Sequence, residues 1–255
     1  MLKSSTDLFW DNRPNSCSDK RKVNIDDLAQ RKLECAFIEK FLGPDLDVLE
    51  VGCGNGFLSS WLADQVKHLD AFDYSPNMVS QAQELHKKNN ILYFENNIVS
   101  PSNVDKKYDR VVCVRVLINL QDFEAQKKAI DHLHSFLKQD GKLILIEGFL
   151  EGFSKLNQLR GEVDLPSFSP AAINYYSSVH DFGEHLTQVF EIEEEFHTGM
   201  FDFLTRIVNP LLNGVEKASQ PSEFHDKVLP LCHKINPDSL KGFARERGWA
   251  LKKKH

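Results

Sequence analysis

One stretch constrains this chain more than any other: Asp47-Val-Leu-Glu-Val-Gly-Cys-Gly-Asn-Gly-Phe57. Val48, Leu49 and Val51 predict a short buried strand. Gly52, Gly54 and Gly56 follow it in a Gly-x-Gly-x-Gly spacing, and a helical pattern opens at Phe57. Glycine admits positive φ and lets a ligand approach the main chain without meeting a Cβ. The amides of such a turn and the positive end of the helix face whatever binds there. The spacing is one residue shorter than the dinucleotide fingerprint Gly-x-Gly-x-x-Gly. An acid, Glu50, also sits at the strand end, which suits a ligand bearing an ammonium group better than a pyrophosphate.

Strand and helix patterns alternate around this corner. Ile25, Leu28, Leu33, Phe37, Ile38, Phe41 and Leu42 predict a helix from Asn24, stopped by Gly43-Pro44. After the helix at 57–66, a second strand runs through Leu69, Ala71 and Phe72 to Asp73. Ser75-Pro76 then opens a helix with a cap followed by proline. Ile91–Phe94 and Tyr108–Val114 read as strands three and four. A helix at Phe123–Leu137 ends at the turn Gln139-Asp-Gly141, and Lys142–Glu147 is strand five. The expected fold class is α/β, a doubly wound and mostly parallel sheet whose ligands bind beyond the carboxyl ends of the strands. Past Gly148 the alternation lapses. Phe190–His197 predicts a sixth strand, Phe201–Leu212 a helix, 213–240 a loop-rich insert with three prolines, and Trp249-Ala-Leu-Lys-Lys a last strand. The expected organisation is one domain over 1–255, with a cofactor-binding core at 24–150 and cap or acceptor insertions at 151–185 and 200–243.

Asp73 ends the second strand about twenty residues beyond the glycine turn, where nucleoside-binding folds hold a ribose. With Glu50 and the glycines, it makes the chain over Asn24–Glu147 resemble the class I S-adenosylmethionine-dependent methyltransferases, whose first motif is acid-x-Gly-x-Gly-x-Gly. A looser likeness to bacterial small-molecule methyltransferases extends to the segment Leu156-Asn-Gln-Leu-Arg160. The resemblance implies S-adenosyl-L-methionine as cofactor, held by Glu50, Gly52, Gly54, Asn55 and Gly56. It makes Asp73 the ribose acid and Tyr74 the residue packed on adenine. Met78 lines the same pocket or belongs to the core. Where the family usually has an aspartate after strand three, this chain has Asn97-Ile98, and the Asn97 amide oxygen still accepts a hydrogen bond. Arg115 and Asn119 flank the loop after strand four, which in the family borders cofactor and acceptor.

Methyl transfer from a sulfonium asks mainly for alignment and exclusion of water. A hydroxyl acceptor also profits from a general base. Glu147 at the mouth of strand five is the candidate base, or else a carboxylate that caps nearby amides. Arg115 and Arg160 are candidates to clamp an anionic acceptor, with a surface ion pair as the other role for Arg160. Asn157, Tyr175, Tyr176 and Arg206 complete the candidate acceptor residues. The expected activity is methylation of a hydroxyl or amine on a small molecule, a sugar or glycan precursor among the options. Two alternatives stand beside it, a cofactor-binding partner or sensor without catalysis and a nicotinamide-dependent oxidoreductase. The short glycine spacing, Glu50 and the lack of a Tyr-x-x-x-Lys constellation count against the second.

Composition narrows the setting. A net charge of −6 disfavours nucleic acid as main partner. Five scattered cysteines, never in a Cys-x-x-Cys pair, point to reduced thiols rather than a disulfide framework or zinc site. The histidines form no metal-ligand pattern; His132 and His134, two apart on a helix, point in different directions. No apolar run reaches membrane-spanning length. The expected setting is cytoplasmic, with no membrane, metal or nucleic acid; the spacing says nothing of oligomeric state.

Overall fold

The computed structural model describes residues 5–102 and 104–254. Its strands are β1 (Asp47–Val51), β2 (His68–Asp73), β3 (Ile91–Glu95), β4 (Tyr108–Val114), β5 (Leu137–Gly148), β6 (Phe190–His197) and β7 (Glu246–Lys253). They form one sheet in the order β3-β2-β1-β4-β5-β7-β6, parallel except where β7 runs antiparallel to β5 and β6. The chain leaves β1 toward β2 and β3, then crosses back to pair β4 on the other side of β1. That reversal opens a crevice at the carboxyl ends of β1 and β4, where such sheets take their ligands.

The early helices are α1 (Ser5–Ser16), α2 (Leu28–Glu39), α3 (Phe57–Ala63), α4 (Pro76–Leu85) and α5 (Phe123–Ser135). Beyond β5 come α6 (Leu150–Glu162), α7 (Val179–Val189), α8 (Gly199–Phe203), α9 (Asn209–Asn213), α10 (Val215–Ala218) and α11 (Glu223–Lys234). Strand side chains alternate between faces, so the sheet carries two cores. Leu49, Val111 and Leu143 pack with Ile130 and Leu133 of α5 and Leu186 of α7. Val48, Val112 and Ile144 pack on the other face with Ile38, Leu62 and Ala82 of α2, α3 and α4. Covered on both sides, β5 needs the nearly unbroken apolar run Leu143–Ile146. Among the described residues, no helix is long and apolar enough to cross a membrane.

Three local expectations need correction. The helix after the glycine corner ends at Ala63 rather than Val66. The turn at Gln139-Asp-Gly141 lies inside β5: Leu137 pairs with Tyr108 and Lys142 with Arg110, so the intervening residues bulge from the ladder. The 213–240 stretch is largely helical, since α10 and α11 occupy it and Pro230 sits inside α11. His225, Val228 and Cys232 put one face of α11 against α2, Val228 and Cys232 joining Ala29, Leu33 and Phe201 in a small core. That packing outweighs the one hydrogen bond that Pro230 removes.

Candidate functional site

The crevice widens into a cavity of about 1370 Å³. That is more than one small ligand fills, since such pockets usually measure roughly 300–1,000 Å³. Its floor is the glycine corner. Gly52, Gly54 and Gly56 all take positive φ, at 72°, 53° and 83°. A Cβ on Gly52 would lie 2.3 Å from a methyl of Val116, and one on Gly54 would lie 1.9 Å from the Asn24 amide nitrogen. Gly52 and Gly54 line the cavity, whereas Gly56 caps α3 and abuts Ala82 and Tyr93. Asn55 also turns from the cavity. It is fully buried and its amide donates to the Lys20 carbonyl at 2.7 Å, which ties the N-terminal segment to the corner.

Two buried carboxylates face this floor. Asp73 accepts from the Gly54 amide at 2.9 Å through one oxygen and from the Ser75 amide at 3.0 Å through the other. Burial lifts its carboxyl to about 6 against the pull of those amides, so it is ionised at neutral pH. Glu50 is buried more severely: its carboxyl is pushed up to about 8, held back in part by Ser59 and Arg31. One of its oxygens is buried without a hydrogen-bond partner. An unpartnered buried carboxylate oxygen beside a glycine cradle is what an ammonium-bearing ligand would satisfy.

Tyr74 and Ile98 line the same cavity, and the Tyr74 hydroxyl donates to backbone carbonyls of Thr6 and Asp7 in α1. Met78 lines it too while being 1 % exposed, so it serves pocket and core together. Asn97 lines the cavity as well, and its amide oxygen accepts from Val99 N at 2.9 Å with one lone pair left over. Helix α1 closes the top: Trp10 donates to the Asn119 amide oxygen at 2.8 Å, and Thr6 to the Ile173 carbonyl at 3.0 Å.

Arg115 follows β4 directly and lies in the left-handed region at φ 55°, a conformation that costs a non-glycine residue energy and that clusters at functional sites. Its guanidinium is enclosed by Glu34 at 3.3 Å and Glu246 at 3.6 Å and donates to the Asn24 carbonyl at 3.1 Å. These carboxylates raise its pKa despite burial. Arg115 lines the cavity, but its charge is engaged by protein, which corrects its reading as an anion clamp.

Glu147 also differs from its reading as general base. It is outside the cavity lining, and its two oxygens accept from the amides of Val116 at 3.0 Å, Leu117 at 2.8 Å and Ile118 at 3.2 Å. Glu147 is therefore a positioning residue that shapes the Arg115–Asn119 turn. Glu147→Gln would aim an NH₂ at one of these amides, and an unmet buried group costs about 1–3 kcal/mol. The expected result is a melting midpoint lowered by several degrees with cofactor affinity nearly kept. A variant that melts like the parent but has lost turnover would restore the base.

Among the acceptor candidates, Asn119, Arg160, Tyr175, Tyr176 and Arg206 line the cavity and Asn157 does not. Asn157 pins the loop beneath it, exchanging hydrogen bonds with the backbone of Phe168 at 2.8 and 3.0 Å. Tyr176 packs edge-on against Phe153 and accepts from Asn174. One further residue carries no apolar signal. Arg31 of α2 is 6 % exposed, lines the cavity and pairs with the buried Glu34 at 2.7 Å. Its Nε has no hydrogen-bond partner, and it acts electrostatically on Glu50. Asp27, Arg31 and Glu34, at i, i+4 and i+7, form a buried charged face on a helix. That spacing is the signal that would have revealed it.

Comparison with known proteins agrees with this geometry. A family model described as a methyltransferase domain matches residues 48–141. Nodulation protein S of Azorhizobium caulinodans is 28% identical over 98 residues, covering 38% of this chain and 47% of that protein. Ribosomal protein L11 methyltransferase of Thermosipho africanus is 35% identical over 118 residues, covering 45% of this chain and 42% of that protein. The chain thus aligns with somewhat under half the length of these curated relatives. The crystal structure of the N-methyltransferase NodS from Bradyrhizobium japonicum in complex with S-adenosyl-L-homocysteine superposes with a TM-score of 0.64. That match has 15% identity and covers 99% of this chain and 100% of that one. The motif, the strand order and these matches converge: residues 48–141 match a methyltransferase domain, and the chain that carries them has the fold of the class I S-adenosylmethionine-dependent methyltransferases.

Proposed function

We propose that this chain transfers a methyl group from S-adenosyl-L-methionine to a hydroxyl or amine of a small-molecule acceptor. The observation that carries the reading is the pairing of Glu50 and Asp73, two buried carboxylates on either side of a positive-φ glycine turn, in a cavity with room beyond them. Asp73 would hold the ribose hydroxyls, Glu50 the ammonium and Arg31 the carboxylate of the cofactor's amino-acid end. The sulfonium, when bound, supplies a methyl group already activated for attack. What the chain must then do is orient the acceptor and exclude water. Residues of helix α1, of the 163–178 loop and of the stretch from Thr205 to Pro221 line the cavity, which supports reading 151–185 and 200–243 as the acceptor insertions of a single domain.

Calorimetric titration with S-adenosyl-L-homocysteine and, separately, with NAD tests the reading. The expected result is saturable binding of the first and none of the second. Binding of NAD alone would transfer the site to the oxidoreductases, and binding of neither would end the proposal. A screen of sugars, glycan precursors and amines for methyl incorporation then separates an enzyme from a sensor.

A further inference from the structure

We infer that the acceptor carries an anionic oxygen group, a carboxylate or a phosphate, and that Arg206 with Arg160 receives it. The inference rests on the reading of the cavity as a methyl-transfer site and adds the acceptor's chemical class to it.

Pro210 lines this end of the cavity and shapes the backbone before it. As a proline it has no N–H to return to the carbonyl of Arg206, four residues earlier. The chain between α8 and α9 widens into a π-turn at Leu204–Val208, a feature frequent at functional sites. The orphaned Arg206 carbonyl is taken instead by a guanidinium N–H of Arg160, whose Nε donates to Pro166 O at 2.7 Å. Arg160 is thus fixed by backbone and Arg206 is brought beside it. Both guanidiniums lie over the ring of Phe168, at 5.3 and 6.0 Å from its centroid.

The charges do not balance there. Among the described residues, no carboxylate comes within ion-pair distance of Arg160 or Arg206, and the Arg206 Nε is buried without a hydrogen-bond partner. The nearby Arg245 is already engaged by Asp202 at 2.6 Å and by Gln30. Arg160, Phe168, Arg206 and Arg245 all line the cavity. The proximity of Arg245, together with burial, depresses the Arg206 guanidinium to about 10, and the more distant carboxylates of Asp202 and Asp27 offset this only in part. Gathering like charges against a low-dielectric wall opposes folding unless an anion joins them. A forked guanidinium pair matches carboxylate and phosphate oxygens.

The test uses the full-length protein saturated with S-adenosyl-L-homocysteine, because Arg206 lies in the acceptor end. Thermal unfolding is followed against inorganic phosphate and against acetate, each compared with sodium chloride at equal ionic strength. The expected result is saturable stabilisation by at least one of the two anions beyond the chloride control. Arg206→Met is expected to weaken that response at least tenfold, or about 1.4 kcal/mol, and to leave cofactor-product affinity within about threefold. Without added anion it should melt no lower than the parent, because it removes a like charge. Arg206→Lys should keep part of the response. A response to phosphate alone, or to acetate, names the group. No stabilisation beyond chloride, or an undiminished response in Arg206→Met, would overturn the inference. Failure of S-adenosyl-L-homocysteine to bind at all would instead remove the methyl-transfer reading while leaving the anion response to be read on the free protein.

Discussion

Asp73→Ala is expected to weaken binding of S-adenosyl-L-homocysteine by about ten- to over a hundredfold, measured by calorimetry at neutral pH. The carboxylate is ionised there, since burial raises it only to about 6. Each oxygen accepts one backbone amide and keeps a lone pair for a ribose hydroxyl. Hydrogen bonds to a charged partner contribute about 1.5–3 kcal/mol, which sets the expected range. The substitution also frees the Gly54 amide, so the floor of the site loosens together with the lost ribose contacts. Asp73→Asn separates the two effects. Its one carbonyl oxygen can hold a single amide, so it should fall between the alanine variant and the parent. Circular dichroism of both variants should match the parent, because Asp73 lies at a strand end outside the apolar cores. Unchanged affinity in Asp73→Ala would remove the ribose assignment.

How legible was this site in the sequence? The corner itself was, because its chemistry is backbone chemistry. A strand of Val and Leu, glycines at alternate positions and a helix start permit few conformations. The positive φ of all three glycines agrees with what their spacing demands. Strands β4 and β6 followed from apolar content and alternation with the same bounds as the structure. What failed was side-chain direction. Glu147 and Asn157 have the right type and place for chemistry, but free backbone amides and carbonyls nearby claimed them first. No periodicity shows which groups a polar side chain will meet across the fold. The charged face of α2 failed for a related reason. Asp27, Arg31 and Glu34 look like a solvated surface until Glu246 of β7, His225 of α11 and Arg115 close over them. The α10–α11 region was hidden by Pro230, whose local cost the long-range packing on α2 exceeds.

Glu50 makes the cofactor's affinity depend on pH, and the direction follows from its burial. In the free protein its carboxyl titrates at about 8, against an ordinary value of 4.5. An ammonium group pairs with the carboxylate and not with the acid, so below 8 a proton must leave before the pair forms. Affinity for S-adenosyl-L-homocysteine is therefore expected to fall roughly 15-fold between about pH 8 and about pH 6.5, approaching tenfold per unit on the acid side. The window stops above the Asp73 titration at about 6, so that the two carboxyls are not confused. Stability of the free protein runs the other way. A carboxyl whose folded pKa is raised contributes stability that is complete below its unfolded value of 4.5 and lost as pH rises through 8. The free fold weakens over the same window in which the ligand gains affinity, and ligand-induced stabilisation should grow with pH as the affinity does. Calorimetry in buffers of different ionisation enthalpy should record close to one proton released per ligand bound near pH 7. Glu50→Gln, which cannot titrate, should bind weakly at about pH 8 and lose the slope. Affinity that is flat with pH in the parent, with no proton released, would show that Glu50 does not meet the ammonium group.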